Sequence, residues 1–318
     1  MKQAVIGTVV IVGALALAYG LVVSSQRIGT VIAVPAPLTP TPKVTVLFAG
    51  DAMFDRTVRL SAERNGEDYL FNCISPTFKE ADLVVLNLEG PITANPSVSV
   101  GSVPEGAGNY TFTFPIPTAP LLARYGVDIV NIGNNHILDF GNAGALSTMQ
   151  LLSDAGVEYF GDPFKHTVVQ KDVHGVPLSF INYNEFIGHS SSASTTLLQI
   201  QSEAAAGRLP IVYTHWGIEY ATSTAGYLTE LAHQFVDAGA VAVIGSHPHV
   251  VGESELYKDA PIYYSLGNFI FDQYFSHETT HGLLVAMTLS NGRVKNIREI
   301  PVEIHKNQVC PTKTEETI

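Results

Sequence analysis

The stretch "VDIVNIGNNH", Val127 to His136, decides the fold. A short apolar, β-branched run stops at Gly133, and Asn134, Asn135 and His136 follow at once. Such a run, closed by a Gly-containing turn, is the signature of a buried strand. A plain turn needs Gly or Asn but has no need of His, so this strand exit carries chemistry as well as a bend.

The same pattern recurs along the chain. "KVTVLFAG", "ADLVVLNLEG", "PLSFINYN", "PIVYTHWG" and "AVAVIGSH" each end an apolar run at a polar or Gly-containing turn. Helical stretches lie between them: "PTAPLLARYG", "NAGALSTMQLLSDAG", "TTLLQIQSEAAAG" and "GYLTELAHQFVDAG". Three of these end on Ala-Gly, a C-terminal stop. After residue 260 the helices give way to the strand patterns "PIYYSLGNFIF", "GLLVAMTLS" and "RVKNIREIPVEI", the last two joined by an Asn-Gly hairpin turn. Alternating strands and helices predict an α/β domain with a mixed sheet or two stacked sheets.

Working outward, residues 1–27 read as an N-terminal membrane anchor. About 20 apolar residues at ~1.5 Å each span the ~30 Å hydrocarbon layer. No convincing small-residue cleavage site follows the run, which favours an uncleaved anchor over the alternative of a cleavable signal peptide. Residues 28–43 form a Pro-rich linker, with four prolines between Pro35 and Pro42; an extended polyproline spacer fits that composition. The main domain is expected over 44–304 and a flexible tail over 305–318. A single-pass anchor at the cell membrane places the domain outside the cytoplasm.

The 318 residues are 46% hydrophobic and 14% charged, enough for a large core, and carry a formal charge of −12. Nucleic acid is thereby excluded as a partner, because phosphate binding needs a basic face. The two cysteines, Cys73 and Cys310, are too few for a Cys-only zinc site. One disulfide or two free thiols both remain open.

In open α/β sheets, ligands gather at the carboxyl ends of strands. Here those ends deliver Asp51 and Asp55, Asn87 and Glu89, Asn134 with Asn135 and His136, His215, His247 with His249, and Asn268. His-Pro-His is the strongest single element, because residues i and i+2 of an extended segment point alike. Mixed nitrogen and oxygen donors suit zinc, manganese or iron, so one or two divalent ions are expected. Asn135 would supply a neutral oxygen ligand, and His136 would reach a substrate oxygen as general acid. Asn134 and Asn268 are candidate substrate contacts. His166, His174, His189, His233 and His305 read as ordinary core or surface residues. "HETTH", His277 to His281, matches the zinc-protease pattern, but that chemistry requires a helix. Two Thr and an immediate strand pattern argue for a loop at the rim instead.

The ordered set "GDAMFDR", "NLEGPIT", "NNHILDFG", "HWGIEY", "GSHPHV" and "YSLGNFIFD" resembles the CapA family of bacterial capsule-synthesis proteins, which includes PgsA and is associated with poly-γ-glutamate. That family in turn resembles calcineurin-like metallophosphoesterases. The resemblance implies a four-layer α/β/β/α sandwich. It implies Asp51 on a first metal, Glu89 bridging, Asn135, His215 and His247 on a second metal, His249 returning to the first, and His136 as the acid. It departs at Met53, where the phosphoesterase pattern has an imidazole, and at Glu89, where it has Asp. Three functions follow. One is an accessory role in making or exporting a poly-γ-glutamate-like polymer beside integral-membrane synthase subunits. A second is metal-dependent hydrolysis of a phosphoester or amide. A third is a binding domain whose metal only holds the strand ends. The partners implied are the membrane, such synthase subunits, and an anionic polymer or a small phosphoester or amide substrate.

Overall fold

The structure is a computed structural model and describes residues 41–102, 109–165, 168–186 and 189–312. The anchor expected over 1–27 and the linker up to residue 40 lie outside the described residues. Among the described residues, no helix is long and apolar enough to cross a membrane.

In chain order the first half runs β1 (Val44–Ala52), α1 (Arg56–Asn65), α2 (Ser75–Phe78), β2 (Leu83–Leu88), α3 (Thr118–Arg124), β3 (Ile129–Asn131), α4 (Gly141–Ala155) and β4 (Glu158–Phe160). Next come β5 (Val169–Val173), β6 (Val176–Asn184), α5 (His189–Ala205), β7 (Leu209–His215), α6 (Gly226–Asp237) and β8 (Ala242–Ser246). The chain closes with β9 (Ser254–Tyr257), β10 (Ala260–Tyr263), β11 (Asn268–Ile270), β12 (His281–Ser290), β13 (Arg293–His305) and β14 (Gln308–Pro311).

Two sheets form. The eight-stranded sheet has the order β14-β13-β12-β1-β2-β3-β4, with β11 also paired to β1. The six-stranded sheet has the order β5-β6-β7-β8-β10-β9. The pairs β1–β2, β2–β3, β3–β4, β6–β7 and β7–β8 are parallel. Parallel neighbours need crossovers, which α1 with α2, then α3, α4, α5 and α6 supply.

Alternation along β1 shows how the sheet is buried on both faces. Val44, Val46 and Phe48 enter a cluster with Leu178 and Phe180 of β6, Ile211 of β7 and Met287 of β12, so this core lies between the sheets. Leu47 and Ala49 enter another with Val58 of α1, Leu122 of α3 and Leu152 of α4. Beyond the second sheet, Val212 and Val243 pack on Ile200 of α5 and Phe235 of α6. Each such side chain contributes about 1.5–3 kcal/mol when fully buried.

Register matters more than packing for the site. Asp51 stands opposite Asn268 on one side and Asn87 on the other, and Asn87 stands opposite Asn131. In the second sheet Asn184, His215 and Ser246 form a similar row. Parallel pairing therefore lines the polar strand exits up in two rows at one end of the molecule.

The tail differs from expectation. Residues 308–311 form β14 against β13, and Cys310 is bonded to Cys73 with Cα atoms 5.1 Å apart. A strand of four residues at a sheet edge has too little apolar pattern to stand out, and a disulfide holds it. The final residues, 313–318, lie outside the description. In "HETTH", a short 3-10 turn (Glu278–Thr280) leads straight into β12, so the helix that a zinc protease requires is absent there. The hairpin at Asn291-Gly292 has both residues at positive φ, 51° and 77°, as a twisted two-residue turn demands.

Candidate metal centre

Asp51 lies in β1, and Glu89 follows β2 with its N–H donated to the Ala52 carbonyl at 2.9 Å. Both carboxylates are fully buried. Asn135 and His136 sit in the turn after β3. Gly133 gives room at the entry to that turn, because a Cβ there would lie 2.3 Å from the Asn182 carboxamide oxygen and force that side chain to shift. His215 is the last residue of β7. His247 and His249 follow β8 and take positive φ, 97° and 60°. For residues other than Gly such conformations cost on the order of 1–3 kcal/mol each and persist where the surroundings over-determine them.

These residues converge. Ligand atoms of Asp51, Glu89 and His249 lie within 4.8 Å of one another, and so do those of Glu89, His215 and His247. Glu89 is common to both groups. Asn135 Oδ1 is 2.8 Å from His215 Nε2. One sheet thus supplies the carboxylates and Asn135, and the other supplies the imidazoles.

Hydrogen bonds behind the donors set their orientation. Asn87 Nδ2 donates to Asp51 Oδ1 at 2.8 Å, while Asn87 Oδ1 accepts from Asn131 and Asn134 at 2.9 and 3.1 Å. Asn268 Nδ2 is spent on Gln273 Oε1 and the Thr279 carbonyl, so its Oδ1 accepts from His249 Nδ1 at 3.0 Å. That fixes the tautomer with His249 Nε2 free, 3.6 Å from Glu89 Oε1. Ser246 Oγ donates to the Thr214 carbonyl and so accepts from His215 Nδ1 at 3.0 Å. His215 Nε2 then turns a lone pair toward Asn135 Oδ1, a contact that a cation would relieve. Asn134 and Asn268, the candidate substrate contacts, are buried with their carboxamides engaged inside the fold; Asn134 also holds the Leu88 carbonyl and the His136 N–H.

The electrostatics fit a cation as well. Burial, then the nearby Asp51 charge, pushes Glu89 well above the usual carboxylate range. Burial, then its imidazole neighbours, holds His215 well below the usual range. Burial chiefly, with His249 beside it, lowers His247 to about 3. His215 and His247 are therefore neutral, which is the ligating form. Glu89 Oε1 and His247 Nδ1 are buried without a hydrogen-bond partner. Unpartnered buried polar atoms are costly, and two of them within one donor set fit a divalent ion.

His136 stands beside this set. Its Nδ1 is 2.9 Å from Asp139 Oδ2, its ring lies 4.4 Å from that of Phe112, and its Nε2 is 4.0 Å from Glu89 Oε1.

A model described as "Bacterial capsule synthesis protein PGA_cap" matches residues 45–273. The chain belongs to the PGA_cap family. It is 30% identical over 289 residues to the capsule biosynthesis protein CapA of Bacillus anthracis, covering 85% of this chain and 69% of that one. It is 28% identical over 283 residues to the PGA biosynthesis protein CapA of Bacillus subtilis, covering 84% and 73%. A probable polyglutamine synthesis accessory protein of Mycobacterium tuberculosis is 23% identical over 265 residues, covering 71% and 67%.

In this PGA_cap chain, Met53 is fully buried and its sulfur accepts the Asp55 N–H at 2.9 Å. Asp55 itself accepts from Ser97 and the Thr113 N–H, so it braces a loop and lies outside both donor groups. Three contributors are not singled out by strand-exit reasoning. Asp139 orients His136 from three residues further on. The buried guanidinium of Arg56 pairs with Asp272 at 2.5 Å and lies 5.0 and 5.2 Å from the Phe112 and Phe271 rings, which pack on His136 and His249. Glu219, in "HWGIEY", brings its carboxylate within 4.8 Å of the donors of His247 and His249. The sequence signals for Glu219 are its place four residues after His215 and its membership of the "HWGIEY" motif.

Proposed function

We propose that this chain is a membrane-anchored accessory protein in the synthesis or export of poly-γ-glutamate or a related surface polymer, acting through a divalent-metal centre at its strand ends. The observation that carries this reading is the PGA_cap match, because residues 45–273 contain every member of both donor groups. The Bacillus relatives are named for capsule and PGA biosynthesis, and the Mycobacterium relative for an accessory role in polyglutamine synthesis. The apolar run at residues 4–25 and the prolines after it support an anchor and stalk. The Cys73–Cys310 bond supports an extracytoplasmic domain, since disulfides persist in oxidising compartments.

Asp51, Glu89 and His249 would hold one ion, and Glu89, Asn135, His215 and His247 the other. Manganese, zinc or iron suits that donor set. Such ions, when bound, activate a water and offset charge on a phosphoryl or acyl oxygen.

A second reading, hydrolysis of a phosphoester or amide at the cell surface, is favoured by the His136–Asp139 pair. Asp139 holds Nδ1, which leaves Nε2 to hand a proton to a leaving group. The stack of helices, two sheets and helices implied by the three cores supports a metallophosphoesterase-type α/β/β/α sandwich.

Complementation of a deletion strain tests both readings. The parent and its Glu89→Gln and His136→Ala variants are compared for amount and chain length of surface polymer. The accessory reading expects loss on deletion and rescue by the parent but not by Glu89→Gln; unchanged polymer after deletion sinks it. Full rescue by His136→Ala would sink the hydrolytic reading and leave the metal centre standing.

A further inference from the structure

We propose that Glu219 is a metal ligand of this chain, closing the centre from its solvent side together with His247 and His249. This rests on the proposed metal centre and adds a residue to it.

The geometry comes first. The donor atoms of Glu219, His247 and His249 all lie within 4.8 Å of one another, although Glu219 is exposed and both histidines are buried. That meeting is built into the backbone. The Trp216 N–H donates to the Ser246 carbonyl at 3.2 Å, and the Tyr220 N–H donates to the Pro248 carbonyl at 2.8 Å. The segment carrying Glu219 is thus tied to the His-Pro-His segment at the residue before it and at the proline within it. Gly217 N–H is held by Glu185 Oε2 at 2.7 Å, and the Tyr220 ring lies 6.1 Å from that of His249.

An independent observation marks a ligand. His247 is 4% exposed, and its buried Nδ1 has no hydrogen-bond partner. A buried imidazole nitrogen left bare, on a residue whose donors meet a carboxylate, fits a shared cation.

The third observation is a deficit. The position nearest Asp51 has the protein donors Asp51, Glu89 and His249. Met53 contributes none, because its sulfur is turned to the Asp55 N–H. Ions of the manganese, zinc and iron type take at least about four ligands. Glu219, which shares a donor group with His249 and His247, adds an oxygen donor on the His249 side of that position. An extra carboxylate shifts the site's preference toward a hard ion such as manganese.

The test is Mn2+ binding by calorimetry and elemental analysis on the full chain. Glu219→Gln, Glu89→Gln and Glu230→Gln are compared with the parent; Glu230 is an exposed carboxylate on α6 and reports the bare loss of one charge. Glu219→Gln is expected to weaken the weaker Mn2+ step at least ~10-fold, with Glu230→Gln unchanged and the melting temperature of the metal-free Glu219→Gln protein equal to the parent's. If Glu219→Gln binds Mn2+ as tightly as Glu230→Gln while Glu89→Gln has lost it, Glu219 is no ligand and the centre survives without it. A parent that takes up no Mn2+ overturns the centre and this inference together.

Discussion

At the scale of single residues, Glu89 is the pivot, because it belongs to both donor groups and its Oε1 is left bare. Its folded pKa lies above the ordinary carboxylate value of 4.5. Between 4.5 and that raised value the metal-free fold holds a proton which the unfolded chain releases. Stability of the metal-free chain from this group therefore falls as pH rises through that window. His247 works in the opposite sense over its own window. Unfolded, it takes a proton near 6.5, but folded only near 3, so acidification from 6.5 toward 3 removes stability. A bound cation must displace the Glu89 proton. Divalent-ion affinity is accordingly expected to drop as pH falls through the raised Glu89 value, with proton release detectable by calorimetry in buffers of different ionisation enthalpy. Glu89→Gln should abolish both binding and release; release that persists in that variant would assign the proton elsewhere. Asn268→Ala frees the His249 ring and is expected to weaken binding about 10–100-fold, as loss of a ligand's hydrogen-bond partner does.

At the scale of elements, the centre depends on strand register and on what the exits can hold. Gly133 marks the tightest such place. Gly133→Ala puts a methyl group against Asn182, whose amide donates to Asn131 Oδ1 and to the Gly133 carbonyl. Overpacking of this kind costs about 1–3 kcal/mol, and the displaced turn carries Asn135. A lower denaturation midpoint together with weaker Mn2+ binding is expected; unchanged values in both would show that Asn182 yields without cost. This also explains what sequence could reveal. The strands that build the centre are buried on both faces, and their apolar runs end at conspicuous polar exits, so Asp51, Glu89, Asn135, His215, His247 and His249 stand out. β5 and β9 alternate buried or half-buried with exposed residues over five and four positions, and β4 has three residues, so they carry no comparable signal. Asp139 meets His136 through a local turn that no apolar run marks, while Glu219 lies on a loop whose approach to the site is set by tertiary hydrogen bonds. Local pattern cannot report that, and it left the pairing of Cys73 with Cys310 open for the same reason.

At the scale of the whole molecule, two long-range ties act on different parts of the fold. The Cys73–Cys310 bond closes a span of 237 residues and secures β14 at the sheet edge. Replacing both cysteines by serine is expected to lower stability by about 2–5 kcal/mol without changing the number of cations bound, since neither residue belongs to a donor group. The second tie is the proposed metal centre. Asp51, Glu89 and Asn135 lie at strand ends and exits of one sheet, and His215, His247 and His249 at those of the other, so an ion held by both sets pins the sheets together where the core between them ends. Ligand binding to the folded state alone adds about 2.7 kcal/mol when free ion is 100 times its dissociation constant. Chelation should therefore lower the melting temperature of the parent and leave Glu89→Gln unmoved. Polymer output decides what that stabilisation is for. If the cysteine-free variant, destabilised to a similar extent but still metal-loaded, supports normal surface polymer while Glu89→Gln does not, the ions take part in function. If polymer output instead tracks melting temperature across both variants, the centre serves only as a clamp between the sheets.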